Sequence, residues 1–369
     1  MPPDADPDAR QVLLVVVTGS GRSGTSTVAG TLKMLGSYVP QPEIPPNEAN
    51  PRGYFEPKWT VAFHKKVLAE AGVRTLDGRP VARELMGSVT GREDLLEELR
   101  DWFATQLQAH QVVVKDPRIV WLRDMWSTVA ADLGAGTRWL TMLRHPAEVG
   151  GSRDRHYLAG ADDGHRLTRE TANLAGWVNV GLTNERASRG DRRVFVHYTD
   201  MISDWRSAMG VVADRLGLTY DVDLADQGHH PVDDFIDVSL RRVQVTLDDL
   251  DVPVNLRDIA ETVWSGLAAL ARDPDDAAAM HSLDSAREDY DQLFRHSAAL
   301  VQDATDFAIL DTRRRVRRNV TRSLTQELQA RQGAQDGTPP AMGSGPAGTG
   351  ALLRRAAAKA RRVLSERRG

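Results

Sequence analysis

The residues best suited to chemistry sit in TGSGRSGTS, Thr18 to Ser26, between a continuous apolar run, Val12 to Val17, and a stretch with helically spaced apolar positions. A turn of this kind presents successive backbone N–H groups and the positive end of a helix dipole to an anion, and its glycines let the backbone approach closely. Gly19 and Gly24 have the separation found in the nucleoside-triphosphate loop G-x-x-x-x-G-K-[ST]. Thr25, however, stands where the lysine of that loop reaches the terminal phosphates. The cation here is Arg22, inside the loop. The bland alternative is a Gly-rich turn with no ligand.

Three further motifs place charged or polar groups where short apolar runs end. VVVKDPR brings Lys115, Asp116 and Arg118 together, either as anion-holding groups or as a set that pairs with itself. RHPAEVGGS puts Ser152 eight positions after Arg144, a guanidinium and a neutral hydroxyl of the kind a dianionic phosphate requires; a surface ion pair is the alternative. HYTDM, His197 to Met201, offers Tyr198, whose bland reading is an ordinary core tyrosine. NEANPRGYFEP supplies Glu48 and Glu56 as candidate proton acceptors. A glutamate beside Tyr54 and Phe55 is expected to be less solvated than a plain loop glutamate, which stays an inert anion. His64 is the reserve base. His229 and His230 lack a spaced third ligand, so no metal site is expected.

The elements that must position these groups follow from the pattern. Val12 to Val17 reads as a strand buried on both faces, and TSTVAGTLKMLGSYV as the helix after the loop. Pro40 to Pro57 reads as a surface loop that covers the turn. Helices are expected over Trp59 to Ala71 and Glu93 to His110, and strands at QVVVK, Arg138 to Pro146 and Arg192 to Asp200. Short strands alternating with helices predict an α/β fold: a P-loop-like doubly wound parallel sheet flanked by helices, with a helical C-terminal extension. Ligands are then expected beyond the carboxyl ends of the strands, where each basic motif falls.

The domain reading is a disordered N-terminus over 1–10, an α/β domain over 11–250, a helical part packing on it over 251–332, a flexible linker over 333–350 and a basic tail over 351–369. The 369-residue chain has no cysteine, which excludes disulfides and thiolate chemistry. Its N-terminus is acidic and Pro-rich, unlike a signal peptide, and Val12 to Val17 is too short to cross a bilayer, so a cytoplasmic location is expected. From Asp311 to Gly369 fourteen Arg or Lys face four Asp or Glu, a net of +10, which leaves −14 for the first 310 residues of a chain whose net charge is −4. An acidic body with a basic tail is expected to touch an anionic membrane surface or partner through the tail, with no nucleic acid expected.

TGSGRSGTSTVAGTL resembles the 5′-phosphosulfate-binding loop of sulfotransferases that use 3′-phosphoadenosine 5′-phosphosulfate (PAPS), in particular bacterial carbohydrate-type members. The resemblance covers about Val12 to Arg242. It implies that Ser20, Gly21, Arg22, Ser23, Gly24, Thr25 and Ser26 hold the 5′-phosphate, with Arg22 in the position of the family's lysine, keeping its charge and changing its reach. Arg144 and Ser152 match the family's 3′-phosphate signature, which SLRR, Ser239 to Arg242, would complete, and Tyr198 matches a residue near the adenine. The implied catalytic set is Glu56, Arg22 and Lys115. PAPS is then the co-substrate, no metal is required, and the acceptor is a hydroxyl of a carbohydrate, glycolipid or similar small molecule. The rival reading is a P-loop kinase or NTPase, which predicts Mg²⁺-dependent ATP turnover.

Overall fold

All six residues of the first strand, β1 (Leu13–Thr18), are buried, as a β-branched run between two layers of helices requires. The computed structural model describes residues 11–150, 163–236 and 246–335. In chain order, β1 leads into α1 (Thr25–Met34), α2 (Lys58–Ala71), α3 (Ala82–Thr90), α4 (Glu93–Ala104), β2 (Gln111–Lys115), α5 (Arg123–Asp132) and β3 (Gly136–Leu143). Next come α6 (Asp163–Ala187), β4 (Arg193–His197), α7 (Tyr198–Ser203), α8 (Trp205–Leu216), α9 (Pro231–Phe235), α10 (Val254–Arg272) and α11 (Ala277–Gln335).

The sheet is four-stranded and parallel, in the order β2-β1-β3-β4. Successive strands are added on one side from β1 to β2 and on the other from β3 to β4, which is the doubly wound arrangement, and ligands in such sheets sit at the switch point, here between β1 and β3. Alternate residues of each strand feed opposite cores. Leu14, Val16, Val112 and Val114 pack with α2 to α5 through Phe63, Leu99 and Trp126. Val15, Val17, Leu140 and Val196 pack with α1 and α8 through Leu32, Met209 and Val212. At the β4 side a third cluster joins Leu143 and Phe195 to α6, α10 and the first turns of α11, where Leu283 and Tyr290 are buried.

Several boundaries differ from the sequence reading; the third strand, read as Arg138 to Pro146, runs from Gly136 to Leu143. The α4 helix stops at Ala104 instead of running to His110, with Thr105 and Gln106 closing its last turn on the carbonyls of Trp102 and Phe103. The fourth strand ends at His197, and Tyr198 opens a helix. Helix continues through Gly333 to Gln335, inside the stretch read as linker. Contacts divide the chain into two units, Met1–Ala298 and Ala299–Gly369. In the second unit, the described part is helix, its side chains exposed from Ala299 to Leu328 except for the half-buried Asp311. No helix among the described residues is long and apolar enough to cross a membrane.

Candidate functional site

Parallel register decides which side chains meet. Val17 pairs with Lys115, Thr18 with Thr141 and Leu143 with His197, so the four strand ends line up, with the Gly-rich loop, Lys115, Arg144 and Tyr198 along one edge.

The loop itself is built to expose backbone N–H groups. Gly19, Arg22 and Gly24 all have positive φ, at 143°, 76° and 93°. Arginine accepts such a conformation only at a cost, which the surrounding structure must hold in place. Gly24 is the N-cap of α1 and no side chain caps it, so the first amides of the helix are not taken by a capping group. A Cβ on Gly24 would lie 2.4 Å from the ring of Tyr198, so only glycine fits the contact. Inside the loop the Ser23 hydroxyl is fully buried with no hydrogen-bond partner among the described residues, and so is that of Thr18 just before it. Buried hydroxyls without partners are costly, and an anion cradled by the loop would satisfy such donors.

The predicted loop cover forms. Arg22 donates to the carbonyl of Ala49 at 3.3 Å, and Asn50 donates to Ser26 Oγ at 3.2 Å. Glu43 pairs with Pro57 across the base of the segment, tying its ends together. Glu48 is exposed on this loop, whereas Glu56 is buried. The preceding Phe55 sits at φ 53° and is anchored edge-on against Phe235 with ring centres 5.6 Å apart.

Lys115, Glu56 and Ser26 converge. The Lys115 ammonium lies 2.6 Å from Glu56 Oε1 and 3.1 Å from Ser26 Oγ, and both charged groups are buried. A buried pair of this kind does little for stability relative to an apolar substitute, so its presence calls for another reason. Ser26 Oγ already accepts from Lys115 and Asn50, which leaves its own proton to be donated. A Ser26 hydroxyl, a lysine and a carboxylate therefore stand beside the same helix terminus.

Arg144, at the end of β3, is almost fully buried. It donates through Nε to Glu148 Oε2 at 3.0 Å and through Nη1 to the carbonyl of Arg22 at 3.1 Å, and its guanidinium lies 4.7 Å from the centre of the Tyr198 ring. The strand-end arginine is thereby fixed against the phosphate-type loop. Its neighbour Glu148, one turn on, was not foreseen; the i,i+4 spacing of RHPAE was its only trace in the sequence. Tyr198 packs on both the loop and Arg144. Ser152 and the Ser239 to Arg242 stretch lie outside the described residues.

Two readings are corrected. Within Lys115, Asp116 and Arg118, only Asp116 and Arg118 pair with each other, at 2.8 Å, and Lys115 turns to Glu56. His64 is not placed to act as a base. The Trp126 indole can only donate, and it does so to Nε2 at 2.9 Å, which puts the proton on Nδ1, bonded to Asp116 at 2.9 Å. Burial would raise the Asp116 carboxyl, but His64 and Arg118 on its two oxygens outweigh that and hold it below the ordinary carboxylate value. Among the described residues no group of three or more His, Cys, Asp or Glu is placed to hold a metal ion.

No family model matches the sequence, and no curated protein matches it. Among solved structures the chain is similar to the sulfotransferase domain of the Synechococcus PCC 7002 olefin synthase, at 15% identity and TM-score 0.36, covering 76% of this chain and 96% of that one. It is similar to the sulfotransferase domain of the curacin biosynthetic pathway at 14% identity and TM-score 0.40, covering 70% and 99%. A sulfotransferase of Mycobacterium tuberculosis H37Rv gives 15% identity and TM-score 0.36, covering 69% and 77%. These likenesses are remote, and what the site can do follows from its own side chains.

Proposed function

We propose that this chain is a sulfotransferase, moving the sulfuryl group of PAPS to a hydroxyl of a carbohydrate, glycolipid or similar small acceptor. The observation that supports the reading is the contact of Arg144 with the Gly-rich loop: the two elements that the reading assigns to different phosphates lie within hydrogen-bonding distance of one another. The 5′- and 3′-phosphates of the nucleotide hang from one ribose and require such adjacency. A nucleoside triphosphate carries its phosphates in tandem and finds no lysine at Thr25.

In this reading the 5′-phosphate rests on the amides from Ser20 to Ser26 and satisfies the Ser23 and Ser26 hydroxyls. Arg144, with Ser152, holds the 3′-phosphate, and Tyr198 supports the nucleoside end. Lys115, already beside Ser26, lies against the bridging and sulfuryl oxygens, and Arg22 adds charge from the lip of the loop. Glu56 takes the acceptor's proton as its oxygen bonds to sulfur. The bond from sulfur to the 5′-phosphate oxygen breaks, and adenosine 3′,5′-bisphosphate leaves. Positioning and fixed charge carry the catalysis, as in phosphoryl transfer through a loose transition state.

The test is release of adenosine 3′,5′-bisphosphate from PAPS against a panel of sugars, glycolipids and phenols. Glu56→Gln is expected to lower kcat about 100-fold or more, the scale of general-base catalysis, with nucleotide affinity changed only a few-fold. Full turnover by Glu56→Gln would remove the glutamate from the mechanism. ATP hydrolysis that depends on Mg²⁺, with PAPS inert, would favour the kinase-type reading.

A further inference from the structure

The sulfuryl-transfer reading makes no use of the far half of α11. From Ala299 to Leu328 every described side chain is exposed, apart from the half-buried Asp311. Helices in water are held mainly by packing an apolar face, so a long helix with large exposed apolar side chains needs a partner for them. Ile309, Val316, Val320 and Leu324 are between 44% and 56% exposed. At about 100° per residue these four fall within about 80° of one another around the helix. Arg314, Arg315, Arg318 and Arg322 occupy roughly the opposite side, an arc of about 100°. Six arginines lie between Arg313 and Arg322, against which the 299–328 stretch sets Asp303 and Asp306 before them, Asp311, bonded to Arg315 at 2.9 Å, and Glu327.

The two faces together narrow the partner. A nucleic acid would take the arginines and leave the apolar stripe uncovered. A second copy would have to follow a seam, but Val316, Val320, Leu324 and Leu328 step by four and drift about 40° around the helix each time, which no heptad seam tracks. Pairing copies side by side would also bring arginine clusters together. A flat boundary tolerates the drift. Arg313 falls inside the stripe and Arg317 at its margin, and both have stems long enough to carry their charges up to a headgroup layer.

We infer that the 309–328 part of α11 lies along the surface of an anionic bilayer, its apolar stripe in the headgroup boundary and its arginines among the lipid phosphates. The inference stands apart from the reaction. It is tested with the full chain by co-sedimentation with vesicles of phosphatidylcholine, with and without phosphatidylserine. The wild type should sediment with the anionic vesicles and not with the neutral ones. Because the sequence after Gln335 is also basic, the decisive variant is Val316→Asp with Val320→Asp, expected to weaken vesicle binding about 10-fold while nucleotide binding is unchanged. Arg314→Glu with Arg318→Glu should weaken it several-fold. Binding that ignores the apolar substitutions would overturn the inference in favour of plain electrostatic attraction, such as that for nucleic acid. So would equal binding to neutral vesicles, or a stable dimer in sedimentation velocity that the apolar substitutions dissociate.

Discussion

Lys115 faces two partners that the sequence separates by 59 and 89 positions, Glu56 and Ser26, and it is the most informative single side chain in the molecule. Alone, a strand-ending lysine is unremarkable. Buried beside a helix terminus and a carboxylate, it is the charge that the proposed reaction assigns to the transferring group. The site residues legible in the sequence were each carried by a short local motif, the Gly-rich turn most plainly, because a turn of that kind between strand and helix announces its own geometry. What was not legible was pairing across distance. The strained turn at Phe55 that delivers Glu56, the lock of Glu148 on Arg144, and the use of both ring nitrogens of His64 depend on register and packing. At Gly24 the structure makes a direct prediction. An alanine there would need a positive φ and would press its Cβ into Tyr198, so Gly24→Ala is expected to cost about 2 kcal/mol or more. In a protein of this size that is a fall of roughly 3 °C in Tm. In a Tyr198→Ala background the same change should cost less, since only the backbone strain remains; an undiminished cost would show that the ring contact is unimportant.

At the level of elements, β4 ends in His197 and His145 follows β3 by two residues, and the two imidazoles flank Trp264 of α10, with ring centres 5.2 Å and 5.3 Å away. Burial holds both below the ordinary value of 6.5, against the upward pull of Glu148 and Glu261 on His145 and of Asp200 on His197; Arg272 reinforces the fall at His197. The unfolded chain therefore takes up these protons before the folded chain does. Stability from the two groups is present above 6.5 and is lost as pH falls below it. Thermal unfolding followed from about pH 7.5 to about pH 5.5 should show a falling midpoint in the wild type and a flatter profile in His145→Gln with His197→Gln. An identical slope in both would place the acid sensitivity elsewhere. The strands that position these groups were readable because buried parallel strands are continuous apolar runs. The 25-residue α6 was not foreseen, and the end of β4 was placed three residues too late, since Tyr198 serves equally well in a strand or at the start of a helix.

For the molecule as a whole, the sheet order places the switch point between β1 and β3, so the loop after one and the arginine after the other face a common crevice. Strand order is set by which buried faces match, which is why composition predicted the class of fold but not the neighbours of each strand. The central claim is that this crevice seats a doubly phosphorylated adenosine. Titration calorimetry with adenosine 3′,5′-bisphosphate and with ADP, each with and without Mg²⁺, measures it directly on the wild type and on Arg144→Ala. The bisphosphate should bind more tightly than ADP and without regard to Mg²⁺, and Arg144→Ala should weaken it about 10- to 100-fold, the loss of charge-assisted bonds to one phosphate, while ADP changes little. Equal affinity for the two nucleotides, or a bisphosphate affinity untouched by Arg144→Ala, would contradict the account.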